Sequence, residues 1–105
     1  MKTYKVVFRP AAEDDLLNLY DHIAEHGGRG AAGDYIARIE ALCLSLRHAA
    51  LRGSSRDDIK PGLRIIGFER RAVIAFRVLR SKVVIVRIFY GGRDYERILR
   101  SAPEV

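Results

Sequence analysis

Three arginines stand where apolar strand residues are expected, and a fourth follows the last strand. Arg64, Arg77 and Arg87 each interrupt a run of β-branched and aromatic side chains, and Arg93 follows Gly91 and Gly92 at the end of "VVIVRIFYGGRD". Side chains alternate along a strand, so each of the three must face solvent or be paired if buried. A planar guanidinium grips carboxylates and phosphates through paired N–H donors. Two readings stand side by side. One is a convergent basic face for an anionic group. The other is a set of solvent-facing arginines, with Arg93 satisfying loop carbonyls or Asp94. The two glycines allow a sharp turn and leave space beside Arg93.

Other constellations carry less. Residues 28–33, "GRGAAG", spell G-x-G-x-x-G, but a dinucleotide site needs a strand before that motif and a parallel strand after its helix. Here a helical pattern precedes it, and it reads as a helix–helix turn. His22 and His26 share a helix face, yet a metal needs a third ligand and a supporting acid, and no cysteine pair exists. No metal or other cofactor is expected. Cys43 is the only cysteine and sits among leucines, as a buried small hydrophobe would. No serine–histidine–acid, P-loop or paired-carboxylate pattern occurs. No histidine follows His48, and arginine stays protonated near neutrality, which makes it a poor base. No catalytic residue is assigned.

Charge is unevenly spread. Residues 1–51 hold 6 basic and 7 acidic side chains, and residues 52–105 hold 13 and 6, so net charges of −1 and +7 make up the total of +6. The positive field of the second half attracts nucleic acid or an acidic protein segment.

The elements that must position these residues follow from periodicity. A chain of 105 residues, 49% apolar, supports one domain over 1–105. "TYKVVFR" (3–9) reads as a strand rather than a signal peptide, nothing directs the chain out of the cytoplasm, and no run is long enough to span a bilayer. Pro10 opens a helix whose Leu16, Leu19, Tyr20 and Ile23 share a face, with Glu13, Asp14 and Asp15 crowding its positive end. A second helix is expected from about Ala31 to Leu51, striped by Tyr35, Ile39, Leu42, Cys43 and Leu46. A polar loop (52–62) leads to strands at 63–68, 71–79 and 82–90, the last two joined by a tight turn at 80–81 and forming the sheet centre. A short terminal helix, about Tyr95 to Ser101, starts with Asp94 as N-cap. The resulting class is α+β in the order β-α-α-β-β-β, a helical hairpin on one face of a mostly antiparallel sheet. The opposite sheet face is expected to be the working surface.

The segments "YKVVFRPAAEDDLLNLYDHI", "AGDYIARIEALCLSL", "GSSRDDIKPGLRIIGFERRAVIAFRV" and "VVIVRIFYGGRD", in this order, resemble the ParE branch of the RelE/ParE toxin superfamily over residues 4 to about 99. The most specific parts are Arg56-Asp57-Asp58-Ile59 leading to Gly62-Leu63-Arg64, and Arg87-Ile88 with Gly91-Gly92-Arg93-Asp94. The resemblance implies the toxin of a bacterial type II toxin–antitoxin system. It would inhibit DNA gyrase by binding and be neutralised in a hetero-oligomer by a ParD-like antitoxin. The rival is a RelE-like ribosome-dependent mRNA endoribonuclease, which often uses a tyrosine near the C-terminus. Tyr95 comes too early for that pattern, and no tyrosine follows it. Contacts to the target are accordingly expected from Arg64, Arg77, Arg87, Arg93, Asp94, Tyr95 and Arg97. The terminal helix is expected to be removable without loss of the fold.

Overall fold

The computed structural model describes residues 2–102. Its elements are β1 (Lys5–Phe8), α1 (Pro10–Gly27), α2 (Arg29–Ser45), β2 (Ser54–Ser55), β3 (Leu63–Phe68), β4 (Ala72–Val78), β5 (Lys82–Tyr90) and α3 (Tyr95–Ser101). Pro10 occupies the first turn of α1, where a missing N–H costs nothing. Gly28, at φ 91°, is the sole residue between the two helices. Gly30 and Gly33 lie inside α2, so only the first glycine of the G-x-G-x-x-G run makes the turn.

The second helix is shorter at its end than the sequence pattern predicts. It stops at Ser45, not Leu51, because the next turn tightens into i→i−3 bonds: Leu46 N to Cys43 O, Arg47 N to Leu44 O and His48 N to Ser45 O. The Ser45 hydroxyl also donates to Leu42 O. The apolar periodicity continues through Leu46 and Ala50, both buried, although the helix does not.

One five-stranded sheet runs β1-β5-β4-β3-β2. β1 is parallel to β5, from Lys5 opposite Lys82 to Phe8 opposite Ile85, and the other pairs are antiparallel. β4 and β5 are central, as the sequence indicates. The polar loop contributes a two-residue edge strand, β2, against Arg64 and Ile65. Glu69 and Arg70, both at positive φ, are the central residues of the turn between β3 and β4, in which Arg71 N donates to Phe68 O at 3.2 Å. The Glu69 carboxylate accepts two bonds from Arg38 of α2, at 2.8 and 3.1 Å, and ties this turn to the helical layer.

Two apolar clusters flank the sheet. Leu16 and Leu19 of α1, and Tyr35, Ile39 and Cys43 of α2, pack with Ile74, Phe76, Val83, Ile85 and Ile88. Burial pushes the Cys43 thiol up to about 12. Ala75 pairs Arg87 while Phe76 pairs Ile85, so Val86 is the extra residue of a bulge. Past the bulge the alternation resets: Ile88 joins the helical side, and Val86 and Phe89 face the other.

That other face is not an open working surface. α3 lies over it, driving fully buried Leu99 against Leu63, Ala75, Val86 and Phe89, with Ile59 and Tyr95 at the margin. Apolar strand residues on both faces require a cover on each side.

Candidate functional site

The strand arginines turn to acceptors within the protein. Arg64 reaches the carbonyls that end the post-helix turn: Nε to Arg52 O at 2.9 Å, and Nη2 to Leu51 O at 3.0 Å and Gly53 O at 3.2 Å. Gly53 holds that turn at φ +73°, and a side chain there would meet Ile65 O. Arg77 donates to Pro61 O through Nε at 3.2 Å and Nη2 at 3.0 Å. Arg87 forms a fork with Asp15 of α1, Nε to Oδ2 at 2.8 Å and Nη2 to Oδ1 at 3.0 Å. These bonds hold its guanidinium pKa above the usual range.

Asp15 has a second task. β1 ends at Phe8 opposite Ile85, and Arg9 N bonding Ile85 O is the last backbone contact on that side. β5 continues to Tyr90 with that edge uncovered by a strand. Asp15 Oδ2 accepts the Ile88 N–H at 2.8 Å and so caps the open edge. The helix dipole accounts for acidic residues at the start of α1, but Asp15 is fixed by contacts 72 and 73 residues away.

Beyond Tyr90 the chain turns through Gly91 and Gly92, at φ +77° and +75°, a region that favours glycine. The turn brings Arg93 back over the Phe89 ring, 5.5 Å from its centroid, while Arg87 lies 5.2 Å from the same ring. Tyr95 sits 6.1 Å from Phe89, centroid to centroid. Asp94 caps α3, its Oδ1 accepting Arg97 N at 3.2 Å, and its Oδ2 lies 3.7 Å from Arg97 Nε. Arg93 is exposed and makes no ion pair or side-chain hydrogen bond with the described residues. The structure thus gathers Arg87, Arg93 and Tyr95 around Phe89, with Asp94 and Arg97 alongside. Arg64 and Arg77 are at the opposite end of the sheet, beside the 51–62 segment.

Four residues that the sequence does not single out as site candidates hold α3 in place. Arg56 donates to both Asp58 oxygens at 2.9 Å and to Glu96 at 3.1 Å, and Arg100 reaches Asp58 Oδ2 at 2.8 Å. The Arg56 bonds, with help from Arg100, hold the Asp58 carboxyl well below the usual range. Asp57 accepts Gly62 N at 2.8 Å and the Ser55 hydroxyl at 2.9 Å, and its carboxyl is lowered too. The Arg-Asp-Asp-Ile run is therefore a folded loop clasping the terminal helix. No local spacing rule reveals partners 40 and 42 residues away.

Grooves lie beside α1 on two of its faces. One, of about 440 Å³, lies between α1 and the end of β5 and includes Asn18, His22, Tyr90 and Arg93. The other, of about 340 Å³, runs between α1 and α2 past Phe8, Leu16, Tyr20 and Ile36, with Leu17 66% exposed at its rim. Among the described residues no cluster of three His, Cys, Asp or Glu could hold a metal ion, and no helix is long and apolar enough to cross a membrane. Chemically, the end of β5 presents charge and hydrogen-bond donors over an aromatic floor, a surface for gripping an anionic group.

No curated protein matches the sequence. A solved structure, described as the chromosomal ParDE TA system from P. aeruginosa, matches with a TM-score of 0.74 at 27% identity, covering 85% of this chain and 97% of that one. The family model described as the ParE toxin of the type II toxin–antitoxin system parDE matches residues 6–95, from β1 to the first residue of α3. With most of the chain inside that match, the protein belongs to the ParE family of type II toxins.

Proposed function

We propose that this toxin inhibits DNA gyrase by binding it, without cutting nucleic acid, and that a ParD-like antitoxin holds it inactive in a hetero-oligomer. The carrying observation is Arg93: an exposed guanidinium over Phe89, beside Tyr95 and Arg97, with no acceptor among the described residues. Arg93, Asp94, Tyr95 and Arg97 form the target-contacting end. Arg87 supports the fold around it through its fork with Asp15, and Arg64 and Arg77 brace the opposite end of the sheet through bonds to backbone carbonyls. The second half of the chain has no histidine, and its arginines stay protonated, so strand scission lacks an ordinary base there.

The antitoxin is assigned to the α1–α2 groove. Leu17 beside Leu16, Tyr20 and Ile36 offers anchors for an apolar helix face, and Glu13 and Glu40 border it. The ParDE description of the matched structure supports an antitoxin of that type. The test compares purified toxin in a gyrase supercoiling reaction and in a translating extract. Loss of supercoiling with messages intact is expected, with the effect cancelled by antitoxin. Cleavage of ribosome-bound message with supercoiling untouched would overturn the assignment in favour of a RelE-like nuclease.

A further inference from the structure

Along α1 the two grooves fall on nearly opposite faces. Asp15, Asn18, Leu19 and His22 line the β5 groove, whereas Glu13, Leu16, Leu17 and Tyr20 line the α2 groove. At 100° per residue the centres of these two sets are separated by about 160°. A molecule in one groove leaves the other open.

The β5 groove has backbone as well as side-chain donors. Gly91 N bonds Arg71 O, the residue before β4, and so points to the β4 side of β5. Successive strand residues alternate direction, so the Tyr90 N–H and C=O turn the other way, toward the stretch that β1 leaves uncovered. Ile88 points the same way, and there Asp15 takes its N–H. The floor is apolar, from Leu19 and Ile88, and Arg93 stands at the rim. Among the described residues Asp15 is the sole carboxylate lining the groove, and the Arg87 fork already neutralises it. The charge of Arg93 is thus left for a ligand.

We infer that this groove binds an extended acidic segment of the target protein, a strand laid along the open end of β5 with an Asp or Glu carboxylate on Arg93. The inference rests on the reading that the toxin acts by binding a protein. An extended peptide uses both features at once: main-chain bonds to Tyr90 and a carboxylate for the guanidinium fork. A bare phosphate uses only the second. The net charge of +7 in residues 52–105 favours acidic partners for this half of the chain.

The test is a titration of the full-length ¹⁵N-labelled toxin with a blocked Val-Glu-Val-Glu-Val peptide, its Gln counterpart and inorganic phosphate. The Glu peptide is expected to shift the Tyr90, Gly91 and Gly92 amides and the Arg93 Nε–H, saturating at millimolar concentration as short unanchored peptides do. The Gln peptide should bind about tenfold more weakly, the loss of one charged hydrogen-bonded contact. Arg93→Gln should remove the difference between the two peptides while leaving antitoxin affinity unchanged. No shift at these amides, equal binding of the Gln peptide, or phosphate binding as tightly at the same residues would each overturn the inference, the last assigning a phosphate site instead. Because the titration contains no gyrase, peptide binding alongside failed supercoiling inhibition would discard the gyrase assignment and leave the groove standing.

Discussion

Replacing Asp15 should be among the most damaging single changes at this surface. The carboxylate accepts two bonds from Arg87 and one from Ile88 N, at 2.8 to 3.0 Å, and the two side chains are only 9% and 22% exposed. Asp15→Ala leaves a guanidinium and a strand N–H unpaired in a half-dry rim. Breaking a fully buried pair costs about 3–5 kcal/mol and an exposed one about 0–1. With Arg87 able to reach some water, the pair is worth about 2 kcal/mol, and the orphaned N–H adds about 1. The expected loss of about 3 kcal/mol, at a urea slope of about 1.5 kcal/mol per molar, lowers the unfolding midpoint by about 2 M. Asp15→Asn should lose about half as much, since its carbonyl still accepts one donor. Combining Asp15→Ala with Arg87→Met should be less damaging than the sum of the singles by at least about 1.5 kcal/mol, because the charge left unpaired is removed. An Asp15→Ala midpoint within about 0.3 M of wild type, or additive losses in the double variant, would refute the view that this contact closes the sheet edge.

Four further outcomes follow from packing, backbone geometry and charge. Leu99→Ala should cost about 3 kcal/mol by opening a cavity beneath α3, and deletion of 95–105 should expose Leu63, Val86 and Phe89 and enhance dye binding, so truncation is not a neutral probe of toxicity. Gly53→Ala should destabilise by more than about 2 kcal/mol, because its Cβ would stand 2.1 Å from Ile65 O, while Gly91→Ala, with nothing within 4 Å, should cost only about 1; thermal melts distinguish them. Tyr35→Phe should leave the melting temperature unchanged or raise it, since the buried hydroxyl has no hydrogen-bond partner among the described residues. Asp57 and Asp58 have carboxyl pKa values lowered by their bonds to Gly62 N and Arg56, so their contribution is complete above the ordinary carboxylate range and is lost as pH falls below about 4. Protection factors of the α3 amides, corrected for the intrinsic slowing of exchange with falling pH, should therefore drop as pH falls below about 4 in wild type, and less so in Asp58→Asn.

The local elements were legible because each has a short-range cause. Leu16, Leu19, Tyr35, Ile39 and Cys43 declare their helical faces by spacing, and all are buried where that spacing puts them. Pro10, the turn at 80–81 and the Asp94 cap likewise act on neighbours. The order of elements then leaves the sheet as the large surface on which the hairpin can bury its stripes. What remained hidden lies in contacts between distant residues. The sequence marks Arg64, Arg77 and Arg87 as cations among strand residues and Arg93 as one at the strand exit, and leaves all four open to an anionic group. Tertiary structure separates them, giving carbonyls to the first two, Asp15 to the third and an open groove to Arg93. The end of α2 and the covered sheet face were misread for the same reason. Apolar periodicity records which residues are buried, and it carries no information about which helix turn or which distant segment buries them.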